Sequence, residues 1–188
     1  MSASTTPGCA HPATIDFHRV MQRALAPDDH EDMTDALRGF IGSVPDAAVM
    51  RPDGRAVWNL AAYGFLDGEQ AADTVNPSLW RQAQLNLTHG LFQVSPRIYQ
   101  VRGFDIANVT FIEGERGVIA VDALTFPEVA DAARALYRKL RGPREVHTVI
   151  YSHSHVDHYG GVEGVITPQQ VASGAARVIA PAGFMNAA

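Results

Sequence analysis

Cysteine is nearly absent: Cys9 is the single one among 188 residues. No intrachain disulfide can form, so thiol usage says nothing about the compartment. Long apolar runs are missing as well. None approaches the roughly 18–20 residues that span a bilayer, which argues against a membrane partner. A basic block is also lacking. The formal net charge is −5, with acids and bases mixed along the chain, which argues against nucleic acid as the main partner. The PGCA segment around Cys9 faintly resembles a lipoprotein cleavage site, yet no apolar h-region precedes it, so residues 1–12 read as a flexible terminus. Without a targeting signal the chain reads as cytoplasmic, with a periplasmic or secreted location left open. Internal repeats and low-complexity tracts are absent too. What remains is ordinary globular composition, 46% apolar and 19% charged, enough for one domain or for part of a larger one.

The first fifty residues read as a flexible N-terminal extension. His18 to Ala26 is a short helical stretch stopped by Pro27-Asp28-Asp29. From Asp28 to Asp53 the text is loop-like, broken by Gly39, Gly42, Pro45 and Pro52, with Gly54 just beyond. Asn76-Pro77 then opens a helix, with Asn as the cap and Pro in the first turn. Alternating β runs follow at Leu91–Val94, Arg97–Val101, Asn108–Ile112 and Val118–Val121. Short Gly- and Pro-containing breaks separate them, which suggests an antiparallel meander. Thr125-x-x-Glu128 has the form of a capping box, opening a helix to about Leu140 whose apolar stripe is Val129, Ala132, Ala133, Leu136 and Leu140. Val146 to Tyr151 is a buried-type strand, Thr167-Pro168 starts a further helix, and Arg177–Ala180 is a last strand.

Where the Val146–Tyr151 strand ends, the sequence reads YSHSHVDHYGG. His153, His155, Asp157 and His158 crowd four metal-type ligands into six positions. In an extended chain His153 and His155 share one side of the backbone, where two imidazoles can grip one zinc ion. Asp157 continues the same parity, whereas His158 needs a bend to point inward. Gly160 and Gly161 suit such a bend, because glycine accepts backbone angles that other residues resist. Two ligands per ion would support a pair of ions roughly 3.5–4 Å apart, and a hydroxide held between them is a strong nucleophile at neutral pH. The plainer reading is a run of surface histidines without a task. His18, His30, His89 and His147 read as surface, core or structural histidines. Trp58, Phe65 and Trp80 read as core or domain contacts.

The histidine motif resembles the signature of the metallo-β-lactamase fold superfamily. The stretches NPSLWRQAQLNLTHGLFQV, RIYQVRGFDIANVTFIEG, VIAVDALT and TVIYSHSHVDHYGGVEGV resemble the N-terminal part of the zinc-dependent alkyl sulfatases, from about residue 50 onward. That resemblance implies an α/β (α+β) fold, the αββα sandwich in which two sheets face each other between helices. Here it implies the first half of that sandwich, an incomplete domain over residues 51–188 after the extension at 1–50. It implies zinc as cofactor, two ions in the complete site, with His153 and His155 on one and Asp157 and His158 on the other. It implies that Asp122 supports the metal loop through hydrogen bonds, though a simple turn cap is the alternative. The segment GFDIANVT, with Phe104 and Asn108, should border the cleft. In the family two glutamates and a histidine from downstream segments complete the site; the only carboxylate side chain after Asp157 is Glu163, on the following helix and a poor ligand candidate. The substrate implied is an alkyl sulfate of the dodecyl sulfate type, hydrolysed by a chain that reads as truncated. The family dimerises through a domain not present in this sequence. Two alternatives stay open: another hydrolase on the same fold, such as a lactonase, thioesterase, glyoxalase-like enzyme or β-lactamase, and a non-catalytic remnant.

Overall fold

The structure is a computed structural model that describes residues 9–25, 30–44, 48–68 and 71–188. Of the flexible terminus expected at residues 1–12, residues 1–8 lie outside the described residues, as does the helix stop at Pro27-Asp28-Asp29. The chain forms two compact units, residues 1–37 with 63–87 and residues 38–62 with 88–188.

In the first unit are α1 (Pro12–Ala24), α2 (Glu31–Ala36) and α3 (Pro77–Asn86). The Asn76 side chain accepts from the amide of Ser78 at 3.0 Å, the cap expected at that position. Asp32 ties α2 to α3 through a two-pronged ion pair with Arg81. Trp80 donates to the Gly68 carbonyl and Gln84 to that of Leu66.

The second unit holds β1 (Phe40–Gly42), β2 (Ala48–Met50), β3 (Ala56–Asn59), β4 (Gly90–Ser95), β5 (Ile98–Arg102), β6 (Val109–Glu113), β7 (Val118–Val121), β8 (Val146–Ile150) and β9 (Arg177–Ile179). It also holds α4 (Pro127–Arg141), α5 (Pro168–Ala172) and α6 (Phe184–Ala187). Seven strands make one sheet in the order β1-β4-β5-β6-β7-β8-β9, and β2 and β3 pair separately. The run β4 to β7 is the antiparallel meander expected, and β8 and β9 add in parallel after the α4 crossover. The stretch 28–53, expected to be loop, instead supplies α2, β1 and β2. Three-residue strands carry too few alternating positions to register against Gly and Pro signals, and β1 is specified by its partner β4.

Alternation decides which face of the sheet is covered. Tyr99, Val101, Val109, Phe111, Val118, Ala120 and Val149 are buried and pack with Val129, Ala130, Ala133, Leu136 and Tyr137 of α4. Tyr137 stacks on Phe111 with ring centroids 4.5 Å apart. The other face bears Ile98, Ile112, Ile119, Val121 and Ile150, all partly exposed. The second unit thus sets its sheet against α4 on one face, the half of the αββα arrangement expected. Two details differ from expectation at α4. Its N-cap is Phe126 with no side-chain cap bond, because Thr125 bonds to Asp105 and Glu128 to Arg51. At the other end the helix runs to Arg141, then Gly142 turns the chain at φ 97°. Among the described residues no helix is long and apolar enough to cross a membrane.

Candidate metal centre

Parallel β7 and β8 deliver their C-terminal ends side by side, and the four candidate ligands follow β8 directly. Residues 152–155 are irregular, and Val156–His158 form a single 3-10 turn. That turn is the bend His158 requires. It places the Asp157 and His158 side chains 3.2 Å apart, Nε2 to Oδ2. His153 Nε2 faces His155 Nδ1 at 3.0 Å. Two atoms bound to one tetrahedral zinc at 2.0–2.1 Å lie about 3.3 Å apart. Both gaps are close to that separation, so the structure brings the sequence-derived ligands together as two pairs.

The groups behind these ligands fit a metal as well. His158 Nδ1 lies 2.8 Å from Asp122 Oδ2, and a carboxylate can only accept, so Nδ1 carries a proton, while Nε2 is turned toward Asp157. The Ser152 hydroxyl donates to the same carboxylate oxygen at 2.9 Å, and the Ser152 amide donates to Oδ1 at 2.8 Å. Its single proton being spent, Ser152 Oγ accepts from His153 Nδ1 at 2.9 Å, which leaves His153 Nε2 bare. Histidine ligands ordinarily have their second nitrogen engaged in this way. Ser152 is a residue that the sequence did not single out; its position directly before the first histidine was the available signal.

Asp122 is itself 9% exposed and sits at φ 62°, as does Leu124. Left-handed backbone is uncommon for aspartate and a marked outlier for a bulky leucine. The kink lets the chain leave β7 and pass beneath the ligand turn. Ala123 donates its amide to the His158 carbonyl at 2.9 Å, and Gly161 donates to Leu124 at 2.8 Å.

Gly160 and Gly161 have a different role from the one expected. Neither lies at positive φ, and Gly161 sits at an ordinary φ of −87°. They are required by proximity. A Cβ on Gly160 would run into the Thr125 carbonyl oxygen, and one on Gly161 into that of Ala123. Gly164 abuts α4 in the same manner, at the carbonyl of Pro127, and Arg134 of α4 donates to the Gly164 carbonyl at 3.0 Å.

The remaining candidates fall elsewhere. Glu163 is exposed on the 3-10 turn Val162–Gly164. His89 lies 3.2 Å from the Val44 carbonyl and His147 2.9 Å from Thr148 Oγ1. His18 is 2.9 Å from the Asp73 carbonyl, and His30 precedes α2 as its N-cap. Phe104 is core, whereas Asn108 is exposed. Trp58 donates to the Gly103 carbonyl at 2.9 Å. Phe65 is exposed and lies beside Trp80 in the first unit. Among the described residues no three His, Cys, Asp or Glu side chains converge on one point, so each pair stands without a third protein ligand.

A sheet with a parallel β-α-β unit, ending in an HxHxDH turn buttressed by an aspartate, defines a class, and sequence comparison agrees with it. Residues 102–188 match the Metallo-beta-lactamase superfamily. Over most of its length the chain is similar to alkylsulfatases. It is 48% identical to an alkyl/aryl-sulfatase of Saccharomyces cerevisiae over 175 residues, 93% of this chain and 27% of the relative. It is 43% identical to a linear primary-alkylsulfatase of a Pseudomonas species over 185 residues, 98% of this chain and 27% of the relative. Among solved structures, a stereoselective inverting sec-alkylsulfatase of a Pseudomonas species superposes with a TM-score of 0.87 at 45% identity, covering 95% of this chain and 28% of that one. The chain therefore spans about a quarter of the length of the relatives it matches.

Proposed function

We propose that this chain carries part of the metal site of a zinc-dependent hydrolase of alkyl sulfate esters, with His153 and His155 for one ion and Asp157 and His158 for a second. The observation that carries this reading is the pairing: two donor pairs at 3.0 and 3.2 Å, backed by a network in which Asp122 engages His158 Nδ1 and Ser152 engages His153 Nδ1, so that each Nε2 is turned toward its pair. Imidazole with carboxylate suits zinc among the available divalent ions. When bound, zinc supplies Lewis-acid polarisation of an ester oxygen and acidification of water.

The chain's own residues have separable tasks in this reading. Asp122 engages the His158 Nδ1 proton and so orients Nε2 toward Asp157. Ser152 performs the same service for His153 and fixes Asp122 in turn through its amide. Asp157 supplies anionic oxygen, which lowers the electrostatic cost of gathering cations at the turn. The relatives named above act on alkyl or aryl sulfates, and their likeness over most of this chain supports that substrate class over a lactone or thioester.

A second reading has an observation of its own. Because no third donor joins either pair among the described residues, the 188 residues taken alone form a non-catalytic scaffold with weak metal binding, since catalytic zinc sites ordinarily have three protein ligands. Both readings are tested on the purified chain by zinc titration and by turnover of dodecyl sulfate, a lactone and a thioester with zinc supplied. Zinc uptake with hydrolysis of dodecyl sulfate alone is the expected result for the first. Turnover confined to the lactone or thioester overturns the substrate class. Zinc uptake without turnover of any of them supports the scaffold, and no uptake at all overturns the metal site.

A further inference from the structure

The loop from Asp122 to Phe126 is strained twice over, at Asp122 and at Leu124. Each left-handed non-glycine residue costs roughly 1–3 kcal/mol and persists only where surrounding structure over-determines it. One end of the loop is held by β7 and by the Asp122 carboxylate bonds. At the other end the fastening comes from a separate segment. Asp105, in the connection between β5 and β6, accepts from the Thr125 amide through Oδ2 at 2.6 Å. Its Oδ1 accepts from the Thr125 hydroxyl at 3.1 Å and from the Ile106 amide at 2.7 Å. Three donors thus converge on one half-buried carboxylate, and two of them belong to Thr125.

Thr125 is also the residue against which the ligand turn rests. Its carbonyl oxygen lies so close to Gly160 that no Cβ fits between them, and Gly160 is two residues beyond His158. The path is therefore continuous: Asp105 to Thr125, Thr125 to Gly160, and along the loop through Leu124 and Ala123, whose backbone groups bond Gly161 and His158. Nothing in the loop's own sequence stabilises left-handed backbone at a buried leucine. An external clamp is what the strain requires.

We propose that Asp105 is a positioning residue of the candidate metal centre: through Thr125 it holds the Asp122–Phe126 loop on its strained course, and so sets the hydrogen bond by which Asp122 orients His158. The importance of this for metal rests on the zinc reading above, whereas the effect on His158 does not. The competing role is local: through the Ile106 amide, Asp105 stabilises only its own loop.

The test compares Asp105→Ala, Asp105→Asn, Thr125→Val and Thr125→Ser with the unaltered chain. In metal-free protein, imidazole proton–nitrogen NMR reads solvent exchange of the His158 Nδ1 proton. Calorimetric zinc titration reads affinity, and thermal unfolding reads stability. Asp105→Ala is expected to raise the exchange rate about tenfold and to weaken zinc binding about tenfold, the low end for residues behind metal ligands. Thr125→Val should move both in the same direction, and Thr125→Ser, which keeps the hydroxyl, should restore both. Asp105→Asn, which keeps one oxygen for the Thr125 amide, should fall between. A lower melting temperature with unchanged His158 exchange and unchanged zinc affinity overturns the proposal and assigns the local role. If His158 responds as expected while the unaltered chain takes up no zinc, the positioning of His158 stands and the metal reading falls. Should Asp105→Ala not fold, the Thr125→Val and Thr125→Ser pair decides by the same two readouts.

Discussion

Gly161→Ala separates two physical reasons for a glycine beside a ligand turn. If Gly161 were needed for its backbone angles, alanine would be strained by its conformation. At φ −87° and ψ 8° it is not, and alanine by itself would stabilise the protein by about 0.4–1 kcal/mol by restricting the unfolded chain. The obstacle is the neighbourhood. The new Cβ would be driven into the Ala123 carbonyl oxygen, with Phe126 O at 2.7 Å and the Ala130 Cβ at 3.0 Å. Two of these three atoms are backbone of the strained loop and the third belongs to α4, so none can swing aside as a long side chain could. Overpacking of this type costs about 1–3 kcal/mol, which leaves a net loss of up to about 2.6 kcal/mol after the backbone gain. Urea unfolding followed by Trp58, in a Trp80→Phe background, reads the sheet-bearing unit alone. Gly64→Ala is the control, since nothing lies within 4 Å of its Cβ position and its φ is not positive. Read by Trp80 in a Trp58→Phe background, it should be neutral or slightly stabilising. If Gly161→Ala is as harmless as Gly64→Ala, close packing of the turn on the 123–126 loop is not what demands glycine, and the reasoning fails.

Two further predictions concern buried carboxylates. Asp122→Asn presents an amide where one oxygen now accepts from both Ser152 and His158, so His158 should shift its proton towards Nε2, the nitrogen that faces Asp157. Zinc affinity should fall about 10–100-fold, and calorimetry showing no change would refute the supporting role of Asp122. Glu113→Gln tests the junction of β6 with α4, where Tyr137 donates to Oε1 at 3.0 Å and Arg141 reaches both oxygens. Burial pushes the Glu113 carboxyl up, but the hydrogen bonds from Arg141 and Tyr137 and the nearby Arg141 and Arg144 charges outweigh it and hold it below its ordinary 4.5. A carboxyl depressed on folding contributes stability that is fully present above its ordinary value and is lost as pH falls through the depressed one. The substitution should therefore cost about 1–3 kcal/mol near neutral pH, with the gap to the unaltered chain narrowing only below about pH 4.5. A gap independent of pH in urea titrations would show that the charge of Glu113 is not what matters.

Much of the sheet was legible because its strands are long enough to alternate. β5 and β6 each place two or three buried residues on one parity, as in Tyr99 and Val101 or Val109 and Phe111, and the turns between them carry Gly or Pro. The metal-type turn was legible for a similar reason, since its ligands are contiguous in sequence and strand parity alone pairs His153 with His155. What could not be read depends on contacts between distant segments. β1 exists because β4 offers an edge to it. The apparent capping box at Thr125 fails because Asp105, 20 residues earlier, competes for the threonine hydroxyl, and Arg51 competes for Glu128. Gly160 and Gly161 were recognised as necessary, but for conformation; the carbonyl oxygens that exclude a side chain there come from a loop some 36 residues away.

The same distinction bears on how far the candidate site is built within the folded chain itself. Asp122 fixes His158, and Ser152 fixes His153, by bonds that exist in the folded chain and need no ion. The Nε2 atoms of both rings are aimed by neighbours that already engage the Nδ1 atoms. His155 is the exception. With His153 Nε2 bare, a bond across the 3.0 Å gap requires the proton on His155 Nδ1, the atom that must lose it for both nitrogens to face one cation. The folded chain thus satisfies its own donors with one proton where an ion would sit, and metal binding must displace that proton or move it across the His155 ring. A cluster of idle surface histidines has no reason to hang two branches from a single buried aspartate, His158 directly and His153 with His155 through Ser152, and it is this ordered arrangement, more than the count of histidines, that favours the reading of a prepared site over a crowded one.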